Sequence, residues 1–196
     1  MGSTPDPSGA RPHGGRGARE RILRTAARLF YEEGVNATGV ERLTEVAHVS
    51  KRTFYQHFPS KNALVEEYLR RFETDVPLPG ERELERADLA PRERLLAVFA
   101  EPPGDGRIRG CPFHNAAVET AGTLPEVEQA VIRHKQAFTR RLIDTAREAG
   151  AADPESLGPQ LAVLFEGARA LTTSLNDAAP IRDARAAVAA LIDACT

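Results

Sequence analysis

The chain is 196 residues long and 41% hydrophobic, with 26 Lys and Arg against 28 Asp and Glu for a formal net charge of −2. That length accommodates one large helical domain or a small module joined to a larger body, with enough apolar content for a sizeable core. No apolar run approaches the roughly 20 residues that span a bilayer, and no charged segment leads into an apolar stretch near the start, so a cytoplasmic protein with no membrane partner is expected.

Charge is unevenly placed. Residues 1–61 hold ten Lys and Arg and six Asp and Glu, whereas residues 62–196 hold sixteen and twenty-two. A basic end on an acidic body suits nucleic-acid binding, with chance variation of a solvated surface as the plain alternative. Cys111 and Cys195 lie far apart and match no zinc or redox spacing, so neither a metal nor a cofactor is expected.

Residues 1–17, rich in Gly, Pro and Ser, cannot bury enough apolar surface to offset ordering and read as a mobile tail. A first helix starts near Ala18, with Ile22, Ala26 and Phe30 on one stripe, and Gly34 stops it. Thr38 stands where an N-cap belongs, before a short helix carrying Val40, Leu43 and Val46 inward. After the turn at His48–Ser50, Ser50 caps a third helix, Lys51 to His57; Pro59 ends it and Ser60 caps a fourth. Two short helices joined by a three-residue turn and braced by a longer one form a helix-turn-helix.

Residues 75–90 read as a connector with room for one helical turn. Further helices are predicted over 91–101, 113–121, 125–149, 154–176 and 180–194, with a loop at 102–112. No segment reads as a strand. The predicted fold is all-α, about nine helices: an N-terminal three-helix domain with a helix-turn-helix over 18–62, then a C-terminal helical body over 63–196.

The third helix divides by periodicity. Val49, Phe54 and Phe58 pack inward, leaving Lys51, Arg52, Thr53, Tyr55, Gln56 and His57 outward or flanking. An α-helix fits the major groove, where Arg52 or Lys51 matches guanine, Gln56 matches adenine and Thr53 meets a thymine methyl. Tyr55, His57 and Lys61 suit phosphate oxygens, Lys61 with help from the start of the fourth helix; the Thr38 hydroxyl offers a similar contact. The alternative is a polar face that merely meets solvent.

The run ARERILRTAARLFYEEGVNATGVERLTEVAHVSKRTFYQHFPSKNALVEEYLRR, residues 18–71, resembles the TetR family of one-component bacterial transcriptional regulators. The resemblance implies an N-terminal three-helix DNA-binding domain with helix-turn-helix over 18–62, followed by a C-terminal helical ligand-binding and dimerisation domain over 63–196. It also implies phosphate contacts at Thr38, Tyr55, His57 and Lys61 and base-facing positions at Lys51, Arg52, Thr53 and Gln56. The sequence departs from the family pattern at Gly39 and Thr44. Residues 109–119, RGCPFHNAAVE, look like the sixth-helix motif of a TetR subgroup.

In the body, ligand sites of helical domains lie between helices and are mostly apolar. Phe99, Phe113, Phe138 and Phe165 are candidate walls; His114, Asn115, Glu119, His134 and Arg169 are candidate polar contacts for a hydrophobic or amphipathic small-molecule effector. Each has a structural alternative: core phenylalanines, a satisfied core histidine, a Glu119–Arg169 ion pair. Leu161, Leu164, Phe165, Ala168, Val188, Leu191 and Ile192 on the last two helices are candidate homodimer contacts, or else close the monomer's own core.

The reading is a repressor that binds a palindromic operator in double-stranded DNA as a homodimer and is released by its effector. The alternative is a DNA-binding regulator controlled by a partner or a thiol at Cys111. An enzyme is the rival class, but no catalytic residues, metal-ligand spacing or phosphate loop support it.

Overall fold

The computed structural model describes residues 16–74, 78–101 and 108–196. Residues 1–15 of the predicted tail, 75–77 of the connector and 102–107 of the loop lie outside the described residues. The described residues form ten α-helices and one short 3-10 turn, with no strand, so the chain is all-α. In order they are α1 Arg16–Glu32, α2 Val40–Val46, α3 Lys51–His57, α4 Lys61–Thr74, α5 Pro79–Arg82, α6 Pro91–Ala97, α7 Pro112–Thr120, α8 Pro125–Glu148, α9 Pro154–Leu175 and α10 Ala179–Cys195. The helix beyond the predicted nine is α5, a single turn in the segment read as a connector, continued by the 3-10 turn Glu83–Glu85.

Proline and glycine set most of the boundaries. Each helix from α5 to α10 carries a proline in its first positions, where the missing N–H has no intrahelical partner to lose. Gly34 (φ 98°) follows α1 in a left-handed conformation that a Cβ would strain. At the C-terminal end of α9, Asn176 takes the left-handed position instead and accepts the Ile108 N–H on its Oδ1 at 2.9 Å.

Two apolar clusters organise the helices. The first gathers Ile22, Leu23, Leu29 and Phe30 of α1, Leu43 of α2, Phe54 of α3 and Leu64, Tyr68 and Leu69 of α4. It continues into Phe113 and Ala116 of α7 and Val127 of α8. The helix-turn-helix end therefore shares its core with the body through α4, α7 and the start of α8. The second cluster joins Leu95, Val98 and Phe99 to Phe138 and Leu142 of α8, Leu157, Leu161 and Phe165 of α9, and Ile181, Val188 and Ile192 of α10. Gly158 is buried where α9 meets Ile143 of α8, and a Cβ there would come within 2.4 Å of Ile143 Cγ1.

A four-residue helix cannot hold itself in water, because nucleation fixes several residues for one hydrogen bond. α5 is instead pinned to α8 by a buried acid. Glu81 is 3% exposed, pairs with Arg141 and lies 2.9 Å from His134 Nε2. Burial pushes its carboxyl up, but His134 and Arg141 outweigh burial and hold it below the usual carboxylate range. No described helix is long and apolar enough to cross a membrane.

Candidate nucleic-acid interface and internal cavity

α3 is presented by its neighbours. Ser50 Oγ accepts the Thr53 N–H at 3.0 Å, the cap predicted for this helix, and Ser60 Oγ accepts the Ala63 N–H at 3.1 Å at α4. Phe54 and Phe58 are buried, and the Arg19 guanidinium covers the Phe58 ring at 5.3 Å. Apolar anchoring on one side leaves Lys51, Arg52, Tyr55 and Gln56 exposed on the other, with Thr53, His57 and Lys61 half-buried at its edge. Tyr55 rests edge-to-face on Phe54, ring centroids 5.2 Å apart, and is still 53% exposed.

The electrostatics of this face are local. Lys51 pairs with Glu41 of α2, which holds the Glu41 carboxyl below its ordinary value and the Lys51 ammonium above its own. Arg42 pairs with Glu33 at 3.3 Å. Among the described residues no carboxylate forms an ion pair with Arg52. Burial pushes the Lys61 ammonium below the ordinary lysine value, opposed in part by the Glu119 carboxylate. Glu41 was not singled out from the sequence, because the loop that returns α2 to α3 brings it to Lys51 from ten residues away.

Thr38 departs from its predicted place. Gly39 is the N-cap of α2 and makes no side-chain cap bond. Thr38 is 0% exposed, and its hydroxyl donates to Gly34 O at 2.7 Å. The Gly34 carbonyl lies in the turn that leaves α1, outside the helical ladder, and the buried hydroxyl supplies it with a donor. The Thr38 side chain therefore turns away from the face that α3 presents.

The candidate effector residues also separate. Phe113 is buried and stacks on His134, centroids 3.6 Å apart and planes 4° from parallel. Phe165 packs on Phe99 at 5.6 Å and on Phe138 at 5.2 Å. These five side chains, Phe99, Phe113, His134, Phe138 and Phe165, are core rather than cavity wall, because rings that touch one another leave no room for a guest. Glu119 and Arg169 do not pair. The Glu119 carboxylate accepts the Asn36 N–H at 2.7 Å, tying α7 to the turn before α2, while Arg169 Nη2 donates to Gly110 O at 2.9 Å. Asn115 Nδ2 donates to Arg109 O at 2.7 Å.

A cavity of about 670 Å³ lies between α1, α4, α5, α9 and α10, with Tyr31, Leu78, Ile108, Thr172 and Ile181 in its wall. Of the nine predicted effector residues, Arg169 alone lines it. A second cavity of about 350 Å³ is lined by His114, Asn115, Glu119 and Arg169, together with Cys111. Cys111 is buried, with its Sγ 3.6 Å from Lys135 Nζ. Leu78, Ile108 and Thr172 were missed because periodicity shows which face is apolar but not where two faces fail to meet.

The dimer candidates divide in the same way. Leu161, Phe165, Ala168, Val188 and Ile192 are buried in the second core cluster, and Leu164 and Leu191 are half-buried against it. α9 must cover α8 and α10, so its broadest apolar face turns inward. Outward it shows Val163, Gly167, Ala170, Leu171 and Leu175, beside Ala187, Ala190 and Ala194 of α10.

The model of the bacterial regulatory proteins of the tetR family matches residues 22–68, and that of the tetracyclin repressor-like C-terminal domain matches residues 92–188. The HTH-type transcriptional regulator TcmR of Streptomyces glaucescens is 30% identical over 165 residues, covering 78% of this chain and 70% of that protein. The HTH-type transcriptional repressor DhaR of Mycobacterium sp. (strain GP1) is 30% identical over 115 residues. That match covers 59% of this chain and spans little more than half, 58%, of the relative. Among solved structures, a putative TetR transcriptional regulator of Streptomyces avermitilis has a TM-score of 0.74 at 32% identity, covering 90% of this chain and 98% of the other. The reduced form of Escherichia coli NemR shares the fold with a TM-score of 0.78 at 22% identity, over 87% of this chain and 94% of that one. The chain belongs to the TetR family of helix-turn-helix transcriptional regulators.

Proposed function

We propose that the protein represses transcription by binding a two-fold symmetric operator as a homodimer, and that a small hydrophobic or amphipathic molecule in the 670 Å³ cavity releases it. The observation that carries this reading is α3, whose apolar side is locked by Phe54 and Phe58 while Arg52, Tyr55 and Gln56 are exposed. In this reading Arg52 and Gln56 meet base edges, with Lys51 and Thr53 beside them, and Tyr55, His57 and Lys61 hold phosphates. Residues 18–62 act as the reading head and 63–196 as the regulatory body.

Two copies meet through the outward faces of α9 and α10, where Val163, Leu171 and Leu175 are exposed beside small residues that permit close approach. Two-fold symmetry then places two copies of α3 about 34–36 Å apart, one turn of DNA. Ligand communicates with α3 because the cavity touches α1 of the head and α4, the helix that joins head to body, and Glu119 ties α7 to Asn36. Any molecule that releases DNA must bind the DNA-incompetent state more tightly, and DNA must weaken its binding by the same factor.

Selection of duplexes from a randomised library with the full chain tests the proposal. A symmetric motif should emerge. Arg52→Ala should relax one position in each half-site, and Lys61→Ala should weaken all sequences alike and lower the salt slope by about one. Enrichment of no motif, or identical behaviour of both variants on selected and random DNA, would reject it.

A further inference from the structure

The 670 Å³ cavity falls within the roughly 300–1,000 Å³ of small-molecule sites, and its wall includes an arginine with no carboxylate partner among the described residues. Leu78, Pro79, Val98, Ile108 and Ile181 make most of it apolar. Two acids line it, and each has a cation beside it: Glu83 lies 3.3 Å from Arg86, which also pairs with Asp88, and Glu101 lies 3.1 Å from Arg182. Arg169 is the one cation among the described lining residues, and no described carboxylate pairs with it. It is held in place by its bond to Gly110 O and by the Phe165 ring, 5.3 Å from the guanidinium carbon.

Two polar atoms in this wall are buried and have no hydrogen-bond partner among the described residues: Arg169 Nε and Thr172 Oγ1. Buried donors without partners are rare, because each forfeits its bond to water. Three residues apart on α9, the two side chains share one face of the helix. A guanidinium N–H and a hydroxyl on one helix face offer two donors for the two oxygens of a carboxylate. One cationic charge also balances one carboxylate, whereas a phosphate dianion would be left half-compensated in an apolar wall.

We infer that the effector is a carboxylic acid with an apolar body, its carboxylate held by Arg169 Nε and Thr172 Oγ1 and its hydrocarbon or aromatic part lying toward Leu78, Ile108 and Ile181. This rests on the reading of the cavity as the effector site. It adds the chemical class that the site selects, an anionic head rather than a neutral amphipath.

Calorimetry on the full chain tests it, with decanoate, 4-phenylbutanoate and 1-naphthylacetate each set beside its primary amide. The amide keeps the shape and one acceptor oxygen but removes the charge. The acids should bind at least tenfold more tightly than their amides. Arg169→Met should bring acid and amide within about threefold of each other, and Arg169→Lys should restore part of the preference. Thr172→Val, which keeps the shape and removes the hydroxyl, should weaken the acids several-fold. Amides that bind the native protein as well as acids, or an acid preference that survives Arg169→Met, would overturn the inference and leave the cavity as a site for neutral ligands. If Arg169→Met does not fold, Arg169→Lys and Thr172→Val decide, and unchanged acid affinity in both overturns it. Failure of every acid and every amide to bind the native protein would overturn the effector-site reading together with this one.

Discussion

Glu81→Ala probes how the cavity is held shut. Glu81 is the fastening between α5 and α8, and Pro79 and Gly80, its neighbours on α5, line the cavity. Deleting one partner of a buried ion pair costs about 3–5 kcal/mol, because the other is left buried and uncompensated. Here the Arg141 side chain is 32% exposed and also reaches Glu85 at 3.3 Å, so it regains water and a second carboxylate. The loss therefore falls at the lower end, about 3 kcal/mol. For a chain of this size each kcal/mol moves the melting temperature by about 2–4 °C, giving a drop of about 6–12 °C in calorimetric scans.

The same contact has a pH signature. The folded-state pKa of Glu81 is depressed by His134 and Arg141 against the opposing effect of burial, so on acidification the unfolded chain takes up the proton first. Its stabilisation is complete above the unfolded carboxyl value of about 4.3 and is lost as pH falls through the folded-state value. Melting temperatures measured from pH 7 to pH 3 should fall less steeply in Glu81→Ala than in the native chain. A variant that melts within 2 °C of the native chain at about pH 7 and keeps the full acid decline would refute the reasoning.

The remaining predictions concern packing, assembly and coupling. Gly158→Ala should destabilise the protein by about 1–3 kcal/mol in urea, although alanine favours helix by about 1 kcal/mol, because its Cβ would lie 2.4 Å from Ile143 Cγ1; a rise in the urea midpoint would show that α8 and α9 have slack. Val163→Glu places a charge on a residue that is 72% exposed, so it should leave the melting of the fold nearly unchanged while shifting sedimentation toward monomer. An intact dimer would move the interface away from α9. Glu119→Ala removes the carboxylate that accepts the Asn36 N–H, and should lower the mutual effect of DNA and cavity ligand toward none while leaving each separate affinity within about threefold. Unchanged coupling, measured by titrating ligand with and without operator, would assign communication to α4 alone.

Much of this protein is local chemistry and was therefore legible in the sequence. The helix-turn-helix follows from Gly34, Ser50 and Ser60 as stop and caps and from Phe54 and Phe58 as anchors, all acting within a few residues of where they stand. Prolines at the first turns marked α6, α8, α9 and α10 for the same reason, whereas Pro112, read as the end of a loop, opens α7. Where one side chain had two possible backbone partners the sequence was ambiguous: Thr38 stands where a cap for α2 belongs and instead bonds back to Gly34 in the turn after α1.

What depended on distant partners could not be read. Phe99, Phe138 and Phe165 have the composition of a pocket wall, but a ring lines a cavity or fills it according to what stands opposite, and here they stand opposite one another. The apolar faces of α9 and α10 announced burial without saying against what, so the residues first marked for the dimer turned out to close the monomer core. Glu81, Tyr31, Ile108 and Thr172 carried no signal of their own. Periodicity assigns a side chain to a face of its own helix; only the docking of ten helices decides which faces meet, which acid finds its base, and which polar atoms of an arginine and a threonine beside a cavity are left buried without a partner.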